Sequence, residues 1–103
     1  MSSAWKNAER RAAKALGGTR AIRASRDESI PDVVNVPGWC PEVKYRKTLP
    51  VLITGALRQA QGYAILGQKP VAILFERGKH GALVVLRLED FAELIRQGGE
   101  VRP

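Results

Sequence analysis

At 103 residues with 45% hydrophobic and 26% charged side chains, the chain has the size and composition of one small folded domain spanning residues 1 to 103, which excludes disorder and leaves any large substrate to be met on a surface or by an oligomer. Seventeen Lys and Arg against ten Asp and Glu give a formal charge of +7, a field that attracts polyanions and makes nucleic acid the leading partner, with an incidentally basic soluble protein as the plain alternative. The single Cys40 excludes an internal disulfide framework and a Cys/His zinc site, no apolar run suits a signal peptide or a membrane span, and a cytoplasmic protein of a reducing cell interior is expected.

Residues 4 to 16, AWKNAERRAAKAL, are rich in helix formers, place Trp5, Ala8, Ala12 and Leu16 on one stripe, and stop at Gly17-Gly18. Lys6, Arg10 and Lys14 fall at i, i+4, i+8 and make a second, basic stripe. The next segment, TRAIRASRDES, predicts a short strand over about 20 to 24 and then a polar loop carrying Arg23 and Arg26. Arms at about 31 to 36 and 39 to 46, joined around Pro37-Gly38, read as a hairpin with Cys40 half-buried in its second strand. Charge is uneven along the chain: residues 1 to 47 carry ten basic and five acidic side chains, residues 48 to 103 seven and five. The hairpin lies in the more basic half.

Thr48 and Pro50 mark the start of a helix over 52 to 66, whose apolar residues at 53, 56, 57, 60 and 64 predict a buried element. Gly55 and Gly62 share a face with Gln59 and predict a close approach to a sheet. PVAILFE, 70 to 76, and ALVVLRL, 82 to 88, are apolar on both faces, as strands covered by helices on both sides would be, with RGKHG as their turn. Glu89-Asp90 begins a last helix in which Phe91, Leu94 and Ile95 pack inward, and Gly98-Gly99 ends it. The expected order is α-β-β-β-α-β-β-α, an α/β fold with no internal repeat and no linker.

The hairpin carries the chemistry. In an extended chain residues two apart share a face, so Glu42 and Lys44 point one way and Val43 and Tyr45 the other. If Val43 faces the core, Glu42 and Lys44 line the surface. Asp32, ten residues before Glu42 and across the turn, is expected to bring its carboxylate close. Two carboxylates a few ångström apart repel unless a cation lies between them, and all-oxygen ligation suits Mg²⁺ or Mn²⁺ rather than zinc. A metal with a lysine beside it meets the needs of phosphodiester hydrolysis: an activated water and a cation to steady developing phosphoryl charge. The plain alternative is a turn-adjacent aspartate and a solvated strand face.

Pro31-Asp32 followed by Glu42-Val43-Lys44, between an acid-bearing and a Gln-bearing helix, resembles the PD-(D/E)xK nuclease superfamily. Within it the chain is most similar to the small archaeal-type Holliday junction resolvases, of the kind some phages also carry. The resemblance implies a restriction-endonuclease-like core with a central mixed β-sheet flanked by helices. It implies Asp32, Glu42 and the Val43 carbonyl as metal ligands, Lys44 as the catalytic lysine, and Glu9 as a supporting ligand. Gln59, or else Gln61, would reach the same site. Ser29, or else Ser25, would answer to the serine some resolvases carry before the aspartate. Arg10 resembles a DNA-contacting arginine, and Lys6, Lys14, Arg23, Arg26, Arg46 and Lys47 would meet phosphates beside it. The implied cofactor is Mg²⁺, with Mn²⁺ able to substitute, and the implied partner is branched DNA, the four-way junction. Symmetric cutting of two strands implies a homodimer. No membrane and no nucleotide cofactor are expected. A restriction-like or general nuclease and a non-catalytic basic DNA-binding module are the competing readings. His80 reads as a surface turn residue, and Trp39 and Tyr45 as core or interface aromatics with stacking on unpaired bases as the alternative.

Overall fold

The computed structural model describes residues 4–22 and 30–98. These form three helices and four strands in the order α-β-β-α-β-β-α, an α/β chain that divides into two compact units, Met1–Arg46 and Lys47–Pro103. The strands make two separate two-stranded antiparallel sheets, one in each unit, in place of the expected central mixed sheet.

The first unit opens with α1, Ala4–Leu16, at its expected position. Its inward face is Glu9, Ala12 and Ala13, while Ala8 and Leu16 are half-buried and Trp5 is exposed. The buried stripe is thus turned by about one residue from the expected one. Alanines explain the turn: they let the neighbouring strands come close, whereas Trp5 keeps its ring at the surface with the Lys6 and Arg20 cations 5.5 and 5.9 Å from its centre. Gly17, at φ +71°, caps the helix in the left-handed conformation, and the Gly18 N–H donates to the Ala13 carbonyl at 2.9 Å.

The chain then turns back as β1, Thr19–Arg20, and pairs with β2, Val33–Val34, with Thr19 opposite Val34 and Arg20 opposite Val33. The ladder extends by one bond, from the Ala21 N–H to the Asp32 carbonyl at 2.9 Å. Gly18 is required at this approach, because a Cβ there would stand 2.5 Å from the Val34 carbonyl oxygen and 2.6 Å from a Val36 methyl. Ala12, Ala13, Ala21, Val33 and Val36 form the small core. Val33, fully buried, contributes about 2 kcal/mol.

The turn of the expected hairpin is present. Trp39 N–H donates to the Val36 carbonyl at 3.0 Å, and Gly38 takes φ +85° after Pro37, the type II arrangement. Its second arm is not a strand: residues 39–46 form no regular element and no ladder, and β2 pairs with β1 instead. Proline explains the difference. Pro31 and Pro41 carry no N–H to donate across the two arms, so the pairing falls to the segment that has donors. Cys40 is accordingly exposed and not part of a strand.

In the second unit α2, Val51–Tyr63, begins directly after Pro50, whose carbonyl accepts from the Ile53 and Thr54 amides at 3.1 and 3.2 Å. β3, Val71–Phe75, and β4, Ala82–Leu86, pair in the expected hairpin with Ile73 opposite Val84. The turn carries Gly78 at φ +79° and exposed His80. The final helix α3, Leu88–Arg96, ends before Gly98 at φ +101°. Three expectations fail in this unit. No residue of α2 is buried, the strands are exposed at Ile73, Phe75, Leu83 and Val84, and Ala92 rather than Leu94 is the buried residue of α3. A Cβ at Gly55 or Gly62 would meet nothing within 4 Å, so the expected close helix-to-sheet contact is absent among the described residues. A hairpin of two strands offers too little surface to bury apolar side chains on both faces.

Candidate active site

Glu9 and Asp32 are the buried polar or charged residues among those described, at 5% and 7% exposure. Both lie in the first unit, and both are positions singled out from the sequence. A carboxylate out of water is costly unless hydrogen bonds or cations compensate it, so what holds each one is informative.

Asp32 sits at the entry to β2, where its carbonyl is tied to Ala21. Its carboxylate Oδ2 accepts a 2.7 Å hydrogen bond from the backbone N–H of Val43. That bond replaces the missing ladder: the side chain of one arm clamps the backbone of the other. Around the clamp burial alternates as expected, with Pro41 and Val43 half-buried and Glu42 and Lys44 exposed. The carboxylate and the ammonium therefore emerge on one face, on either side of a residue fixed to Asp32.

Glu9 reaches inward from α1, as its place beside the Ala8/Ala12 stripe predicts. Its Oε1 accepts from Arg20 Nε at 2.8 Å in an ion pair whose side chains are 7% and 24% exposed. The sequence reading left Arg20 as an ordinary strand residue. The available signal was the glycine pair: a helix that stops at Gly17-Gly18 and reverses sends the next strand residues back along it, within reach of its inward face.

Among the described residues no three His, Cys, Asp or Glu side chains gather as a metal-holding group, so Glu9, Asp32 and Glu42 do not form one cluster. The clamp brings the Asp32 carboxylate to the segment whose neighbouring oxygens are the Glu42 carboxylate and the Val43 carbonyl. An all-oxygen set of this kind is the chemistry that a hard divalent cation takes, with water completing its shell. Asp32, Glu42 and the Val43 carbonyl would hold it.

The basic stripe of α1 is on the surface: Lys6 is half-exposed, Arg10 and Lys14 are exposed, and Arg10 donates to Asn7 Oδ1 at 3.0 Å. Arg46 is exposed at the end of this unit, and Lys47 begins the next. Gln59 and Gln61 are exposed on α2 of the second unit, where Gln61 Oε1 accepts from Arg87 at 2.6 Å. Arg23, Ser25, Arg26 and Ser29 lie outside the described residues. No protein-family model, curated protein or solved structure matches this chain.

Proposed function

We propose that the chain is a metal-dependent endonuclease of the PD-(D/E)xK type that hydrolyses phosphodiester bonds in branched DNA, the four-way junction first among them, acting as a homodimer in the cell interior. One observation carries the reading: buried Asp32 is bonded to the backbone of the residue between Glu42 and Lys44, and those two side chains share the exposed face. A solvated strand face needs no such clamp. Acids in the more basic half of a +7 chain would only repel phosphate, unless a cation stands between them and the DNA.

Mg²⁺, or Mn²⁺ in its place, would polarise the phosphoryl oxygen and supply an activated water. The chain's own residues do the rest. Asp32, bonded to the Val43 N–H, and the exposed Glu42 would provide the negative charge that holds the metal, and Glu9 is a further buried carboxylate of the same unit. Lys44 places its ammonium beside Glu42, where it steadies the charge that develops on the phosphoryl group. Arg10, Lys6 and Lys14 hold the duplex arms by their phosphates, which positions the DNA without reading its sequence. The exposed apolar side chains of β3 and β4 support a dimer contact in the second unit.

The test incubates the purified chain with a labelled four-way junction, linear duplex, single strand and flap, with and without Mg²⁺. Asp32→Asn, Glu42→Gln and Lys44→Ala should bind the junction and fail to cut it. Undiminished cutting by Lys44→Ala would remove the catalytic assignment. Equal cutting of all substrates would keep a nuclease and reject junction specificity, and metal-independent binding without cutting of any substrate would leave a DNA-binding module.

A further inference from the structure

We infer that Trp5 is a stacking platform for an unpaired DNA base, set at the head of the basic stripe of α1. The inference rests on the reading above only in taking DNA as the partner, and it is independent of the metal and of cutting.

The first unit keeps its aromatics outside. Its three aromatic side chains, Trp5, Trp39 and Tyr45, are all exposed, while its buried apolar side chains among the described residues are Ala12, Ala13, Ala21, Val33 and Val36. A tryptophan offers more apolar surface than any of these, so leaving one 48% exposed on a helix that borders this interior gives up burial the fold could have had. Trp5 is marked by what lies against its ring: Lys6 Nζ is 5.5 Å and Arg20 Cζ 5.9 Å from the centre. A cation–π contact at an exposed position contributes less than burial of the ring, so stability alone is a weak reason for the arrangement.

As a binding platform the arrangement has the right parts. Arg20 is itself fixed, by its place opposite Val33 in the β1–β2 ladder and by its 2.8 Å bond from Nε to Glu9 Oε1, so the cation against the ring does not wander. The same ion pair compensates the Glu9 charge, which lies one helical turn from Trp5 and would otherwise repel a phosphate there. Lys6, Arg10 and Lys14 then follow along α1 about 6 Å apart in the axial direction, half-exposed at Lys6 and exposed at the other two. Cations of this kind grip the phosphates of every DNA shape alike. An aromatic ring adds affinity only where a base has left its stack and offers a face, because paired bases in a duplex present edges. The ligand class is therefore DNA with unpaired bases: a single strand, a bulge or an opened branch point.

The experiment measures binding of the full chain, in the presence of a chelator, to a labelled single strand, a fully paired duplex of the same length and that duplex carrying an unpaired bulge. Trp5→Ala should weaken binding to the single strand and the bulged duplex about 5- to 100-fold, the range for loss of one base–aromatic stack, and leave the paired duplex within about twofold, inside the range of ordinary surface changes. Trp5→Phe, which keeps a ring, should recover part of the loss. A second readout does not depend on removing Trp5: in Trp39→Phe it is the one remaining tryptophan, and its fluorescence should be quenched by bound single strand and much less by paired duplex at equal occupancy. Equal quenching by the two, or none by either, would overturn the inference. So would wild-type binding of the single strand by Trp5→Ala, or an equal loss on all three DNAs. A wild-type chain that binds only the paired duplex would also overturn it while keeping DNA as the partner, whereas a wild-type chain that binds none of the three would defeat the DNA reading itself.

Discussion

Asp32 is asked to do two things, and replacing it by Asn and by Ala separates them. The Val43 N–H reaches Oδ2 at 2.7 Å, and the residue is 7% exposed, so the bond is short, charge-assisted and sheltered from competing water. A hydrogen bond to a charged group contributes about 1.5–3 kcal/mol net and one between neutral groups about 0.5–1.5 kcal/mol. Asn keeps a carbonyl oxygen for Val43, so Asp32→Asn should cost about 1 kcal/mol. Asp32→Ala leaves the N–H without its acceptor and should cost about 2–3 kcal/mol. For a unit of this size the alanine variant should melt on the order of 10 °C lower. Thermal unfolding followed by circular dichroism gives the stability, and hydrogen exchange at the Val43 amide localises it. Asn should retain protection at Val43 and Ala should lose it, while both abolish cleavage. Unchanged melting and unchanged Val43 exchange in Asp32→Ala would refute the clamp, whatever happened to activity.

Other substitutions probe the surroundings. Gly18→Ala should destabilise the first unit by about 3 kcal/mol, the upper end for overpacking, because the atom in its way at 2.5 Å is the Val34 carbonyl oxygen and not a movable side-chain tip; a melt within about 0.5 kcal/mol of wild type, inside the range of ordinary surface changes, would contradict the packing. Replacing Lys6, Arg10 and Lys14 together by Gln should weaken binding to every DNA shape alike and lower the slope of log affinity against log salt by about 3, whereas an unchanged slope would take the stripe out of the interface. In α3 the Arg96 guanidinium, through its hydrogen bond and its charge, holds the Glu93 carboxyl below its ordinary value. A depressed carboxylate stabilises the folded helix above its unfolded pKa, and that contribution is lost as pH falls through the folded value. Arg96→Ala should return the Glu93 titration, followed by carbon NMR, toward the ordinary range, and no movement would dismiss the pair.

Elements set by local chemistry were legible in the sequence. Helix α1 is an alanine-rich run closed by two glycines, α2 follows a proline, and β3 and β4 flank a glycine-bearing turn; each depends on neighbours a few residues away. The failures involve partners that local pattern does not name. Extended residues 31–36 and 39–46 with Pro-Gly between them satisfy every rule for a hairpin, yet prolines at 31 and 41 remove donors, and β2 turns to β1, fourteen residues upstream. The register of a strand is a question of which donors are left, and that is answered only in three dimensions. Arg20 was missed for the same reason: its partner Glu9 is eleven residues away on a helix, and no periodicity links a helix residue to the strand that folds back over it.

The two units depart from ordinary burial in opposite senses, and the contrast bears on function. In the first, two carboxylates are inside while Trp5 and Trp39 are out; in the second, Val51, Leu52, Phe75 and Leu83 are exposed and, among the described residues, only the small Pro70, Ala72 and Ala92 are buried. Scattered apolar exposure is common and means little, whereas buried charge is rare and must be compensated. The compensation in the first unit is directional, a backbone N–H for Asp32 and a guanidinium for Glu9, and directional compensation fixes orientation, which a site needs and a core does not. The apolar side chains of β3 and β4 have no such constraint: any apolar surface would cover them. For that reason Asp32, Glu9 and Arg20 should be intolerant even of conservative replacement, while β3 and β4 should accept exchanges among Val, Ile and Leu. A substitution scan that found β3 as intolerant as Asp32 would place a specific contact there and reverse this ordering.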